Sequence, residues 1–190
     1  APIILNCTKG MCAGTASPPD DFNGGLLYLI PKKGLGVVED TRPIVVSNAD
    51  NRLIASTIHT LIIDPLSGII DPKQTGFLPS RIMNDHVLYF TEAFFGAKSN
   101  GGHYDLILYD FAKALDSCDH EVIFALLLHV GVPPDITRAI RLLFTDAYCH
   151  TTFPGAPLAR INFSRGIKHG CPLSPFLFNL PLPQSALPLA

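Results

Sequence analysis

"LILYDFAKALDSCDH", residues 106–120, starts on four apolar or aromatic residues suited to a buried strand and then turns acidic, with Asp110 and Asp116 flanking Lys113. Branched and aromatic residues of this kind fit a pleated, half-buried surface, so residues 104–110 are predicted to form a strand that ends at Asp110. In open α/β sheets a strand end followed at once by a turn and a helix is where a group facing solvent or a ligand sits. The same acids also suit a plainer task, turning the chain or capping the next helix, and spacing alone favours it.

Working outward, punctuation places the other elements. The Gly-, Pro- and Asp-rich run "GTASPPDDFNGG" makes residues 1–24 an irregular lead-in. "LLYLIPKKG" reads as a strand stopped by Pro31, and "RPIVVSN" as its partner across a loop over residues 34–41. "ADNRLIASTIHTLIIDPLSGII" carries Leu53, Ile54, Ile58, Leu61 and Ile62 at helical spacing, with Asp50 as a cap and Pro65 breaking or kinking the run. A second helix covers "NDHVLYFTEAFFGAK". After residue 110 a helix runs from about Asp119 to His129 and stops at Gly131, and another starts at Pro133 and Pro134. "CHTTF" and "ARINFSRG" read as short strands, and "CPLSPFLFNL" as a short helix. No internal repeat is visible, and strands and helices alternate without a regular βαβ rhythm. The fold class is therefore α/β or α+β, a sheet with helices packed on one face.

Composition narrows the field. The chain has 190 residues, enough for one ordinary domain or a piece of a larger one; 47% are hydrophobic and only 16% charged, and the mean hydropathy is +0.30. So apolar a chain is expected to expose surface that belongs against a missing segment. A net charge of −2 leaves nucleic-acid binding to local clusters such as Lys32 and Lys33. The five scattered cysteines form no zinc-ligand pattern and read as buried thiols of a reducing, intracellular compartment, cytoplasm or nucleus. No apolar run approaches the roughly 18 residues of a membrane span, the start "APIILNC" does not read as a signal peptide, and the Pro-rich residues 181–190 cannot continue a helix.

Three groups of residues can carry chemistry. Asp110 would be rigidly held if it closes a strand, as a carboxylate clamping catalytic metals must be. Lys32, Lys33 and Arg42 gather on one hairpin, where Arg offers a bidentate fork and Lys a point charge to a triphosphate; a solvated basic turn has the same composition. Gln74 and Arg81 in "QTGFLPSR" suit contacts to a nucleic-acid backbone and suit a loop equally.

The order of these pieces forms a pattern. "LIPKKG", "RPIVVSN", "DPKQTGFLPSRIMNDH", "YDFAKALDSCDHE" and "IKHGCPLSPFLFNL" resemble, in order and approximate spacing over about residues 22–180, the reverse transcriptase domain of non-LTR (LINE-type) retrotransposons. The resemblance implies a right-hand polymerase: fingers over residues 25–103 and a partial, incomplete palm over 104–180, followed by the Pro-rich tail. It implies that Asp110 and the Phe111 carbonyl bind catalytic Mg2+, with Mn2+ as a substitute. Lys32 and Arg42, with Lys33 beside them, would grip the incoming dNTP, and Gly170 would let the backbone approach nucleotide and template. The implied partners are an RNA template, a DNA primer, dNTP and missing C-terminal palm and thumb segments, with no membrane. The implied reaction is metal-dependent transfer of deoxynucleotides to the primer.

Departures from the family pattern are as informative. Leu115 stands where the family has an aromatic ring that excludes ribonucleotides, which predicts weaker exclusion of them. His169 stands where the family has Gln, and can still donate and accept one hydrogen bond each when neutral. Ser80 replaces a glycine, which puts a special backbone conformation there in doubt. After Asp146 no further Asp follows, so the second metal motif, an aromatic-Ala-Asp-Asp hairpin, is absent. The expectation is a polymerase fragment, inactive alone; a non-catalytic RNA- or DNA-binding module and a non-functional retroelement relic are the alternatives.

Overall fold

The continuous apolar run "GLLYLIP" and the Pro-interrupted run "TRPIVVS" build the hairpin around which the fold is organised. β1 (Gly25–Pro31) and β2 (Thr41–Ser47) pair antiparallel with Leu27 opposite Val45, Ile30 opposite Arg42 and Pro31 opposite Thr41. This register brings Lys32 and Arg42 to the same end of the hairpin. The computed structural model describes residues 2–32, 41–103, 105, 107–152 and 158–182. β3 (Tyr148–Thr151) runs parallel to β1, and β4 (Arg160–Asn162) antiparallel to β3, giving a mixed sheet in the order β2-β1-β3-β4.

The described helices are α1 (Pro2–Ala13), α2 (Ala49–Ser67), α3 (Asn84–Ser99), α4 (Ala114–Ser117), α5 (His120–His129), α6 (Pro134–Leu142) and α7 (Ser174–Asn179). Ile54, Ile58, Ile62 and Leu66 recur every four residues on α2 and are all buried, while Leu53 and Leu61 face out. That stripe joins Ile123 and Leu127 of α5, Ala139 and Ile140 of α6, and Leu173, Phe176 and Leu177 in one core. Asp119 caps α5 as expected, its carboxylate accepting from the backbone of Glu121 and Val122, and Gly131 beyond the helix has φ +87°. Asp50 lies inside the first turn of α2, where it accepts from the next residue's N–H, and Asn48 holds the cap position.

A buried polar knot binds the sheet to the helices. The Asn23 amide donates to the carbonyls of Leu142 (2.7 Å) and Thr145 (2.6 Å), and its oxygen accepts from the Asn51 amide at 2.8 Å. The Asn23 carbonyl accepts from Lys168 Nζ at 3.2 Å. The bond to Leu142 satisfies the last carbonyl of α6, which no further helical turn can reach, and the bond to Thr145 ties down the turn that follows.

Two expectations are corrected. Residues 2–13 are helical rather than irregular, because the Gly/Pro-rich run starts only at Gly14. Before it, Thr8 and Met11 share a buried face, and Arg138 Nη1 donates to the Cys12 carbonyl at the helix end. Residues 105 and 107–110 form no strand: Ile107, Leu108 and Tyr109 are 68%, 78% and 87% exposed, and none of the strand pairings includes them. A strand needs a hydrogen-bonding neighbour, and β propensity without one does not make a ladder. The helix expected over residues 84–98 forms as α3, yet it buries none of its side chains.

Candidate functional site

At the Lys32–Arg42 end of the hairpin lies a hollow of about 520 Å³, lined by the charged Lys32, Arg42, Lys113 and Asp116 and by His169, with Leu29 and Pro43 as apolar walls. Lys113 precedes α4 in a left-handed conformation with φ 50°. α4 is pinned to the segment before α7: Gly166 N–H donates to the Cys118 carbonyl at 2.7 Å, and Ile167 N–H to the Leu115 carbonyl at 2.9 Å. Gly166 has φ +82°, and a Cβ there would stand 2.9 Å from the Asp116 carbonyl, so this approach requires glycine.

His169 is anchored from the other side. Its carbonyl accepts from Val45 N–H of β2 at 3.0 Å, and a Cβ on Gly170, φ +101°, would come 2.8 Å from the Val45 carbonyl. The glycine requirement at 170 therefore has a cause within the chain, close packing on β2. With both backbones held, His169 Nε2 lies 3.4 Å from Asp116 Oδ1. Two lysines and an arginine outnumber the one carboxylate of the lining, so the hollow favours an anion.

The sequence-predicted residues divide. Lys32, Arg42 and His169 meet in the hollow, and Lys33 lies outside the described residues. Asp110 is exposed and does not line the hollow. Phe111 lines a second, apolar groove of about 420 Å³ with Val122, Ile123 and Phe178. Leu115 packs half-buried against the core. Among the described residues no three His, Cys, Asp or Glu side chains converge as metal ligands. Among the described residues, Asp110 is not accompanied by the further carboxylates that a two-metal nucleotidyl transfer needs.

The Gln74–Arg81 motif is settled by its contacts. Arg81 Nη1 donates to the carbonyls of Asp71 and Gln74, and Nη2 to those of Ser67 (2.6 Å) and Ile70 (3.0 Å). It closes the end of α2, where carbonyls lack helical partners and a cation is favoured. Gln74 Nε2 donates to Asn179 Oδ1, and Asn179 Nδ2 to the Gly76 carbonyl, both at 2.7 Å, so this motif is latched to α7. The left-handed conformation at residue 80 persists without glycine: Ser80 has φ 59°.

Sequence reasoning missed Lys113 and Asp116 as site residues. The available signal was their three-residue spacing, which puts neighbouring side chains on one side of a helical turn. Lys168, also missed, is buried beside the Asn23 carbonyl; burial pushes its ammonium down to about 8, against a raising influence of the Cys171 and Cys149 thiols.

The chain matches a family model described as reverse transcriptase (RNA-dependent DNA polymerase) over residues 30–188. It is 28% identical over 156 residues to the "Transposon TX1 uncharacterized 149 kDa protein" of Xenopus laevis, covering 82% of this chain and 12% of that protein. It is 30% identical over 166 residues to the "Retrovirus-related Pol polyprotein from type-1 retrotransposable element R2" of Popillia japonica, covering 82% of this chain and 22% of that one. To the corresponding polyprotein from type-2 retrotransposable element R2DM of Drosophila melanogaster it is 27% identical over 142 residues, covering 75% and 13%. The chain thus spans less than a quarter of the length of these curated relatives.

Proposed function

Because the chain belongs to the reverse transcriptase family, of the kind carried by non-LTR retrotransposons, we propose that it supplies the nucleotide-gripping part of an RNA-directed DNA polymerase. That polymerase would add deoxynucleotides to a DNA primer on an RNA template. The observation that carries this reading is the convergence of Lys32 and Arg42, at one hairpin end, with Lys113, at the head of α4, on one hollow. Phosphoryl transfer asks a protein mainly for positioning and charge neutralisation. The Arg42 guanidinium can fork onto two phosphate oxygens, while Lys32 and Lys113 add compact charges that tolerate several geometries. A volume of about 520 Å³ suits a small-molecule ligand.

In this reading Asp110 and the Phe111 carbonyl would help hold a divalent ion, Mg2+ by family habit, in the complete polymerase. One exposed carboxylate does not assemble a two-metal pair, so no transfer step is assigned to this chain by itself. The chain alone is expected to bind nucleotide without extending a primer.

Calorimetric titration of the purified chain with a dNTP tests the reading. Lys32→Ala and Arg42→Ala should each weaken binding about tenfold, the scale of one lost charge-assisted hydrogen bond, and added salt should weaken it further. Unchanged affinity in the double variant would remove the hollow from the nucleotide site. In a primer-extension assay with Mg2+, template-dependent product that disappears in Asp110→Asn would show the chemistry to be complete within these residues.

A further inference from the structure

Residues 166–170 belong to no helix or strand, yet they are fastened to several different neighbours. The Gly166 and Ile167 N–H groups donate to the Cys118 and Leu115 carbonyls and so hold α4, whose head carries Lys113 and Asp116. The His169 carbonyl accepts from Val45 N–H, and Gly170 packs against the same residue, which holds β2 and with it Arg42. The two charged walls of the hollow, the hairpin end and the head of α4, are therefore joined through this one segment.

Lys168, at its centre, turns into the protein. It is 5% exposed, and its Nζ donates to the Asn23 carbonyl at 3.2 Å. The same carbonyl accepts from Tyr148 N–H of β3 at 3.3 Å, while the Asn23 side chain is bonded to Leu142, Thr145 and Asn51. Lys168 is thus where the segment joining the two walls is fixed to the body of the fold.

We propose that Lys168 is a positioning residue for the hollow: its ammonium, bonded to the Asn23 carbonyl, holds residues 166–170 where they set the hairpin end against α4, and nucleotide binding depends on its proton. This inference rests on the reading of the hollow as a triphosphate site.

The surroundings make that proton responsive. The titratable groups facing Nζ are the thiols of Cys149 on β3 and of Cys171, and among the described residues no carboxylate forms an ion pair with it. Burial pushes the ammonium down to about 8. Loss of the proton turns a charge-assisted bond to Asn23 into a weaker neutral one. A polyanion in the hollow favours the charged form, so binding and protonation support each other, and affinity falls as pH rises through about 8.

The test is calorimetric titration of the full chain with a dNTP at about pH 7 and about pH 9, with circular dichroism to confirm that each protein is folded. The wild-type chain should bind several-fold more weakly at the higher pH. Near pH 8 it should take up a fraction of a proton on binding, read from the dependence of the binding heat on the ionisation enthalpy of the buffer. Lys168→Arg, whose guanidinium stays charged throughout, should bind equally at both pH values without proton uptake. Lys168→Met should bind weakly at both and take up no proton. Equal wild-type affinity at the two pH values without proton uptake overturns the role of Lys168 and leaves the triphosphate reading intact. So does proton uptake that persists in Lys168→Met. No dNTP binding by the wild-type chain at either pH overturns the triphosphate reading itself, and the role of Lys168 with it.

Discussion

In residues 71–81 and the helix α7 that they face, the distinctive polar side chains turn inward. Arg81 holds four carbonyls, and Gln74 and Asn179 close a reciprocal latch. In residues 107–111 the apolar side chains turn outward, with Ile107, Leu108, Tyr109 and Phe111 all exposed. Both regions carry motifs of the same family, yet one is tied into the core and the other is not. A segment is secured by partners that complete its hydrogen bonds and cover its apolar groups, and motif content does not replace them.

The sharpest break of this contrast is a cavity in the latched region. Phe176 is 0% exposed, and Phe176→Ala should destabilise the chain by about 3–5 kcal/mol, read as a drop in urea midpoint. A loss below about 1 kcal/mol would mean that α7 is not part of the cooperative core.

Next in size is Lys168, whose folded-state value of about 8 lies below its ordinary 10.5. Between these values the unfolded chain keeps a proton that the folded chain has released, so this group makes stability rise with pH from about 8 to 10.5 and contributes no slope below 8. Relative to Lys168→Met, the wild-type chain should gain up to about 3 kcal/mol across that window, measured by urea titrations at stepped pH. Parallel curves for the two proteins would place the ammonium in water.

Ser80 offers a smaller effect of opposite sign. At φ 59° its side chain is strained, so Ser80→Gly should raise stability by about 0.5–1 kcal/mol and the melting temperature by a few degrees. A fall in melting temperature would show that unfolded-state entropy outweighs the strain.

The smallest change is expected at Tyr109, 87% exposed. Tyr109→Ser should leave stability within about 0.5 kcal/mol and raise the concentration at which the chain stays monodisperse in light scattering. Destabilisation comparable to Phe176→Ala would mean that residues 107–111 are packed in solution and would erase the contrast.

Local signals made much of the fold legible. Pro31 ends β1, Asp119 caps α5, Gly131 stops it, and Pro134 opens α6, because each residue acts through its own backbone or the next turn. Lys32 and Arg42 were legible as a pair because a hairpin fixes which residues share an end. Asp116 was not, because its place beside His169 depends on Gly166 and Ile167 gripping α4 from about fifty residues away. The strand expected at 104–110 failed for a related reason: propensity is local, but a ladder is formed with a neighbour.

The sequence by itself determined the family, the β1–β2 hairpin with its basic end, and the helices α2, α3, α5 and α6, all of which depend on residue identity and short spacing. Only the tertiary structure decided that Arg81 and Gln74 point inward and that Asp116 faces the hollow while Asp110 does not. A polar side chain has the same composition whether it bonds a distant carbonyl or water. Which of the two it does depends on what the rest of the chain brings within about 3 Å.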